Sequence, residues 1–292
     1  MVYSKSLIFK RLGWILVLIL ITCSSIVSAQ VELNDFFEYA RTGNAVAISS
    51  LLSTGVDPNM ANANNHTALM FASDNGHYDA AKALLEAGAN PNLQDKYGQP
   101  ALMYVAANGF DELLDLLISF KADVNMENHK KKSALTLASR EIRFEMIQRL
   151  IKAGAKINHQ DNVGWSALHF SAHMGSLPIV NYLIAQGADP SLRDSEGKIP
   201  LCFSASLGYD EIVETLVRAG SDINNLDDMG WTPIHYSAYN GRERTCKVLM
   251  DKGADVRKKL PNGQSVLDLA KQNGDKNTVS MLEFYLNSGK SN

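Results

Sequence analysis

One apolar position returns every 33 residues: Leu69, Leu102, Leu135, Leu168, Leu201, Ile234 and Leu267, with Phe36 one step further back. Two more columns keep that register. One runs Gly55, Gly88, Lys121, Gly154, Gly187, Gly220 and Gly253; the other runs Gly43, Gly76, Gly109, Ile142, Gly175, Gly208, Gly241 and Gly274. No insertion interrupts them. A period of this length means a small supersecondary unit in tandem, each copy too small to bury its own apolar face and therefore dependent on its neighbours. The expectation is an all-α array of about eight such repeats.

Within each repeat the pattern reads helix, turn, helix, loop. Thr67, Ser133, Ser166, Thr232 and Ser265 stand where a first-helix N-cap belongs, since a hydroxyl there accepts an orphan backbone N–H. Pro233 follows its cap at the first helical position, where a missing N–H is harmless. The Gly76 column reverses the chain. Second helices carry apolar pairs such as Leu84-Leu85 and Leu116-Leu117 and end at the Gly88 column, the left-handed position after a helix. The loops that follow carry Asp and Gly three apart, as in Asp95 to Gly98 and Asp161 to Gly164, which suits a tight hairpin finger.

At these residues the chain resembles the ankyrin repeat family. Its signature is closest in Thr232-Pro233-Ile234-His235-Tyr236-Ser237 and Ser166-Ala167-Leu168-His169-Phe170-Ser171. The resemblance implies an all-α solenoid of helix-turn-helix repeats with β-hairpin fingers, spanning residues 30–292, with the first and last repeats as caps. Asn277, Ser280, Glu283 and Asn287 recur at helical spacing in the last repeat, as a C-terminal cap needs.

Residues 1–29 read differently. Lys5, Lys10 and Arg11 precede the apolar run Leu12 to Ile21, and Val27-Ser28-Ala29 offers a cleavage site. That is the plan of a secretory signal peptide, and its apolar core is shorter than the ~20 residues that span a bilayer. An uncleaved anchor is the alternative, and through it alone would the protein touch a membrane. Removing residues 1–29 takes away three basic residues and no acidic one, so the net charge moves from −3 to −6. A net charge of this sign argues against general nucleic-acid binding, which needs a basic face. The expected compartment is a bacterial periplasm, with secretion or membrane anchoring as alternatives.

The repeat from about 127 to 158 departs from the pattern. Lys131 and Ile142 within it, and Lys121 just before it, occupy glycine places, which marks a local soft spot, since a side chain in left-handed geometry costs about 1–2 kcal/mol. This repeat is also basic: Lys130, Lys131, Lys132, Arg140 and Arg143 form a candidate docking patch for an acidic partner surface, or a solvated face.

No catalytic constellation stands out. His169 and His173 have metal-capable i, i+4 spacing, but no third ligand is evident, and the resemblance assigns His169 to hydrogen bonds between repeats. Gly-rich phosphate loops, nucleophile elbows and Cys-x-x-Cys pairs are missing from the sequence. Cys202 and Cys246 fall in different columns of adjacent repeats, beyond disulfide reach, and are expected as free thiols. No metal, cofactor or small-molecule substrate is expected.

The resemblance places contact positions beside the finger glycine and before the turn glycine, on the concave side. Here these are Val163, Trp165, His173, Met174, Leu207, Met229, Trp231, Tyr239 and Asn240. Trp, Tyr and Met are the residue types enriched in interface cores. Trp165 and Trp231 suit packing on a neighbouring finger equally well. The functional expectation is a non-enzymatic scaffold that binds a partner protein, as its helper, stabiliser or inhibitor. The alternatives are an enzyme with its site built on the solenoid, or a membrane-anchored structural scaffold.

Overall fold

A computed structural model describes residues 35–288; the proposed signal segment lies outside them. The described residues form sixteen helices and no strand. Two compact blocks emerge from the contacts, one ending at Lys96 and one beginning at Tyr97.

The first block holds α1 (35–42), α2 (Ala45–Ser53), α3 (Ala68–Asp74) and α4 (Tyr78–Glu86). Helix α4 packs on both α2 and α3. Phe36 and Phe37 are buried in α1, as a starting cap requires.

The second block repeats one motif six times. Its first helices are α5 (Ala101–Asn108), α7 (Ala134–Arg140), α9 (Ala167–His173), α11 (Pro200–Leu207), α13 (Pro233–Tyr239) and α15 (Val266–Asn273). Its second helices are α6 (Asp111–Ser119), α8 (Phe144–Lys152), α10 (Leu177–Ala185), α12 (Asp210–Arg218), α14 (Glu243–Asp251) and α16 (Lys276–Asn287). Each first helix packs on the next first helix and on its own second helix. The result is two layers. Helices of seven to nine residues are too short to persist alone, so this lateral packing is what holds them.

The 33-residue apolar column is the seam. Leu102, Leu135, Leu168, Leu201 and Ile234 are all buried, while Leu267, in the last repeat, is only half-buried. The terminal cap is not uniformly polar: Phe284 stands 75% exposed on α16. Caps form as expected, with Ser133 and Ser166 each accepting the N–H three residues on.

The fingers differ from the expected β-hairpins. In the finger at 161–165, Asp161 accepts the Val163 and Trp165 N–H groups through its side chain, and the Asp161 N–H donates to the Trp165 carbonyl. One rung is too little for a strand. The tip carbonyl instead pairs sideways with the next finger: the His129 N–H donates to Tyr97, Asn162 to Lys130, Ser195 to Val163 and Asp228 to Glu196, at 2.9–3.0 Å. Tips are thus linked between repeats rather than zipped within them. Among the described residues, two isolated antiparallel bridges, Ala61 to Thr67 and Lys259 to Ser265, are the nearest approach to a hairpin.

The irregular repeat adopts the geometry its neighbours adopt with glycine. Lys121, Lys131 and Ile142 all have positive φ (65°, 53° and 56°), and Asn65 joins them at 56°. At the turn column glycine also has a steric reason. A Cβ on Gly175 would lie 2.7 Å from the Tyr209 ring, and one on Gly109 would lie 3.0 Å from Arg143 Cδ. The residue in that register opposite Ile142 is Ser176, whose side chain is too short to collide.

Candidate interaction surface

The finger tips and the C-terminal ends of the first helices carry the side chains that the fold leaves outside. Met229 is 63% exposed at one tip and Val163 44% at another. Tyr97, 59% exposed, holds the same place in an earlier finger, and sequence reasoning passed over it although the register points to it. Met174 and Tyr239 are about as exposed as Val163, and His173 is exposed beside Met174, whereas Leu207 is half-buried.

The two tryptophans occupy equivalent positions and behave differently. Trp165 packs against Phe170 at 4.9 Å, His173 at 5.3 Å and Phe203 of the next repeat at 4.7 Å between ring centroids. Its indole N–H donates to Asp194 Oδ2 at 3.2 Å. Trp165 is therefore a packing residue that joins two repeats. Trp231 packs on Tyr236 at 4.9 Å and meets Tyr239 edge-on at 5.4 Å. Asn240 is committed inward, its amide donating to Ser206 Oγ at 3.1 Å and the Tyr236 carbonyl at 2.8 Å.

The basic cluster is less free than its charges suggest. Arg140 is paired with Glu141 at 2.7 Å, and Arg143 Nε donates to the Ala107 carbonyl at 3.3 Å. Lys132 lies over the Phe170 ring at 5.5 Å, and burial followed by the nearby Arg140 charge lowers its pKa. Lys130 and Lys131 remain exposed and without an ion pair among the described residues.

The groups with catalytic potential serve the fold. His169 Nδ1 accepts the Ser166 N–H at 3.1 Å, and its Nε2–H donates to the Lys198 carbonyl of the next repeat at 3.3 Å. His235 does the same with Thr232 and Lys258, both at 3.1 Å. This pattern defines the Nε2–H tautomer, and burial lowers both pKa values. Cys202 and Cys246 are free, buried thiols, and burial pushes each up to about 12, so neither is a thiolate near neutrality. Among the described residues no three His, Cys, Asp or Glu side chains converge as metal ligands. No described helix is long and apolar enough to cross a membrane.

A family model of ankyrin repeats, three copies long, matches six overlapping stretches: 36–95, 79–161, 102–194, 135–227, 175–259 and 201–288. No curated protein matches the chain.

Proposed function

The chain belongs to the ankyrin repeat family, and from that premise we propose that it is an exported, non-catalytic scaffold that grips one partner protein. Ankyrin repeats are in general protein–protein interaction modules, and the family is typically non-catalytic. The partner sits on the side formed by finger tips and first helices, the inner face of such solenoids, and the protein acts as its stabiliser or inhibitor.

One observation carries this reading: Val163, Met174, Met229 and Tyr239 keep large apolar side chains in solvent at repeating positions, where polar ones would serve a solitary stack equally well. Lys130 and Lys131 extend the surface with unpaired positive charge, which steers an acidic partner more than it holds one. Export rests on the segment 1–29, with the repeat domain taken as 30–292 and the periplasm as the favoured compartment. N-terminal sequencing of the exported protein then finds Gln30 first; a retained Met1 supports the membrane-anchored scaffold instead.

The test of binding is mutational. Crosslinking in the native cell identifies the partner, and its affinity is measured for Trp231→Ala and Tyr239→Ala. Each should weaken binding by about 2 kcal/mol, roughly thirtyfold, with helix content unchanged. Undiminished affinity in both folded variants removes this patch from the interface.

A further inference from the structure

The ladder of hydrogen bonds between finger tips stops at one finger, for a reason that lies in two residues of the next repeat. In the finger around Gly164, the Val163 carbonyl accepts the Ser195 N–H at 3.0 Å, and Trp165 Nε1 donates to Asp194 Oδ2 at 3.2 Å. The neighbouring finger thus offers a carboxylate and, one residue later, a backbone N–H. Two repeats further on, Met229 and Trp231 hold the positions of Val163 and Trp165, and the residues opposite are Leu260 and Pro261. Leucine has no side-chain acceptor and proline has no N–H.

The next finger is nevertheless in place, since a Cβ built on Gly230 would lie 2.8 Å from Pro261 Cδ. Only the polar partners have gone. Among the described residues nothing donates to the Met229 carbonyl, and nothing accepts the Trp231 indole proton. The indole nitrogen is not one of the sealed polar atoms, so it reaches solvent. The indole proton can be paired by solvent in the free chain, and the Met229 carbonyl has no donor among the described residues, so a partner that supplies both breaks no bond of the fold. Tyr239, edge-on to the indole, and Met229, two residues before it in the finger, add exposed apolar surface.

Charge decides what fits. The Lys258 carbonyl holds His235 Nε2 at 3.1 Å, so the run from Lys258 to Pro261 lies along this repeat. Neither Lys258 nor Lys259 has an ion pair among the described residues. The acidic groups of the finger are engaged: Asp227 takes the Tyr236 hydroxyl, and Asp228 pairs with Arg193 at 3.3 Å. Asp227 keeps its charge, but its oxygens are taken by the Met229 and Trp231 N–H groups and the Tyr236 hydroxyl, so Lys258 and Lys259 are the cations in this repeat without an ion pair among the described residues that an arriving carboxylate meets.

We propose that the 227–231 finger receives an acidic, extended segment of the partner protein. Its carboxylate accepts from Trp231 Nε1, and its following backbone N–H donates to the Met229 carbonyl, as Asp194-Ser195 does within the chain. Pro261 fills the side where the internal donor would stand, so the segment approaches from solvent, where Met229 is most open. This proposal rests on the protein-binding reading above and names the partner chemistry at one finger.

The test uses the full chain and a capped pentapeptide, Ala-Asp-Ser-Glu-Gly, with the indole ¹⁵N–¹H resonances as readout. Trp165 serves as internal reference because its proton is already bound to Asp194. Assignments come from Trp165→Phe and Trp231→Phe. The Trp231 resonance should move saturably with peptide while that of Trp165 stays still. N-methylation of the peptide serine, or replacement of its acidic residues by amides, should weaken the effect about tenfold or more. The variant Leu260→Asp/Pro261→Ser restores the internal pair. It should shift the Trp231 resonance before any peptide is added and abolish the response afterwards. A Trp231 signal unmoved at millimolar peptide overturns the proposal, as does an equal response to the amide peptide or in the restored variant. If this variant still captures the native partner at full affinity, the finger proposal falls and the scaffold reading stands.

Discussion

Asp161 shows how much a single side chain can decide. Its Oδ1 closes the finger, while its Oδ2 is sealed from solvent with no hydrogen-bond donor. Asp227, two repeats on, has the donor that Asp161 lacks, the Tyr236 hydroxyl. Burial and then that hydrogen bond raise the Tyr236 pKa far above its ordinary value. Phe170 holds the register of Tyr236, so the missing partner of Asp161 is one oxygen atom away in sequence space. Lysines repeat the theme, Lys132 lying over Phe170 and Lys198 over Tyr236 at 5.5 and 5.6 Å. Phe170→Tyr should therefore raise stability by about 1–2 kcal/mol, and Tyr236→Phe should lower it by about 1–3 kcal/mol. Urea denaturation of both variants checks the pair. A Phe170→Tyr variant no more stable than the parent would mean that Lys132 already satisfies the carboxylate.

At the scale of elements, the repeat from about 127 to 158 is where strain collects. Lys131 and Ile142 within it, and Lys121 just before it, are held at positive φ, each at a cost of about 1–2 kcal/mol. Its neighbours hold glycine at the corresponding places. Ile142 fits because Ser176 stands where Tyr209 or Arg143 crowds other turns, so bulk was removed on one side as it was added on the other. Amide hydrogen exchange should find α7 and α8 opening more readily than α9 to α12, and Ile142→Gly should slow their exchange several-fold. Finding α7 and α8 the best protected helices would refute the strain account. The strain was legible from the sequence because a register makes each substitution visible against its equivalents. The Ser176 compensation was not, because it depends on which side chain overlies which turn.

For the whole molecule, stability is a sum of repeats and the interfaces between them. The buried His169 and His235 tie those interfaces through the Lys198 and Lys258 carbonyls, while the half-buried His66 packs on Phe71. His66, His169 and His235 all have pKa values lowered, first by burial. A folded-state pKa below the unfolded value of about 6.5 means that both states are neutral above that pH and the full stability is present. As pH falls below about 6.5, the unfolded chain binds protons that the folded chain refuses, and stability drops. Asp268, held below its ordinary pKa by the Ser265 hydroxyl and N–H, adds a second loss at lower pH as it protonates. The denaturant midpoint should fall between pH 8 and pH 5, and His169→Gln/His235→Gln should flatten most of that fall. A midpoint that does not change with pH in the parent chain would contradict the assignment.

Read alone, the sequence determined the repeat length, the helix pairs, the caps, the left-handed turns and the isolation of Cys202 from Cys246, because each follows from local backbone chemistry repeated in one register. It could not determine which equivalent residues differ in role. Trp165 and Trp231 are identical in type and register, yet one indole proton is bound and the other is not. That depends on Asp194 in one case and Leu260 in the other, some thirty residues further along the chain. The fingers became side-linked turns rather than hairpins for the same reason: the deciding hydrogen bonds run between repeats, and only the packed structure brings their donors and acceptors together.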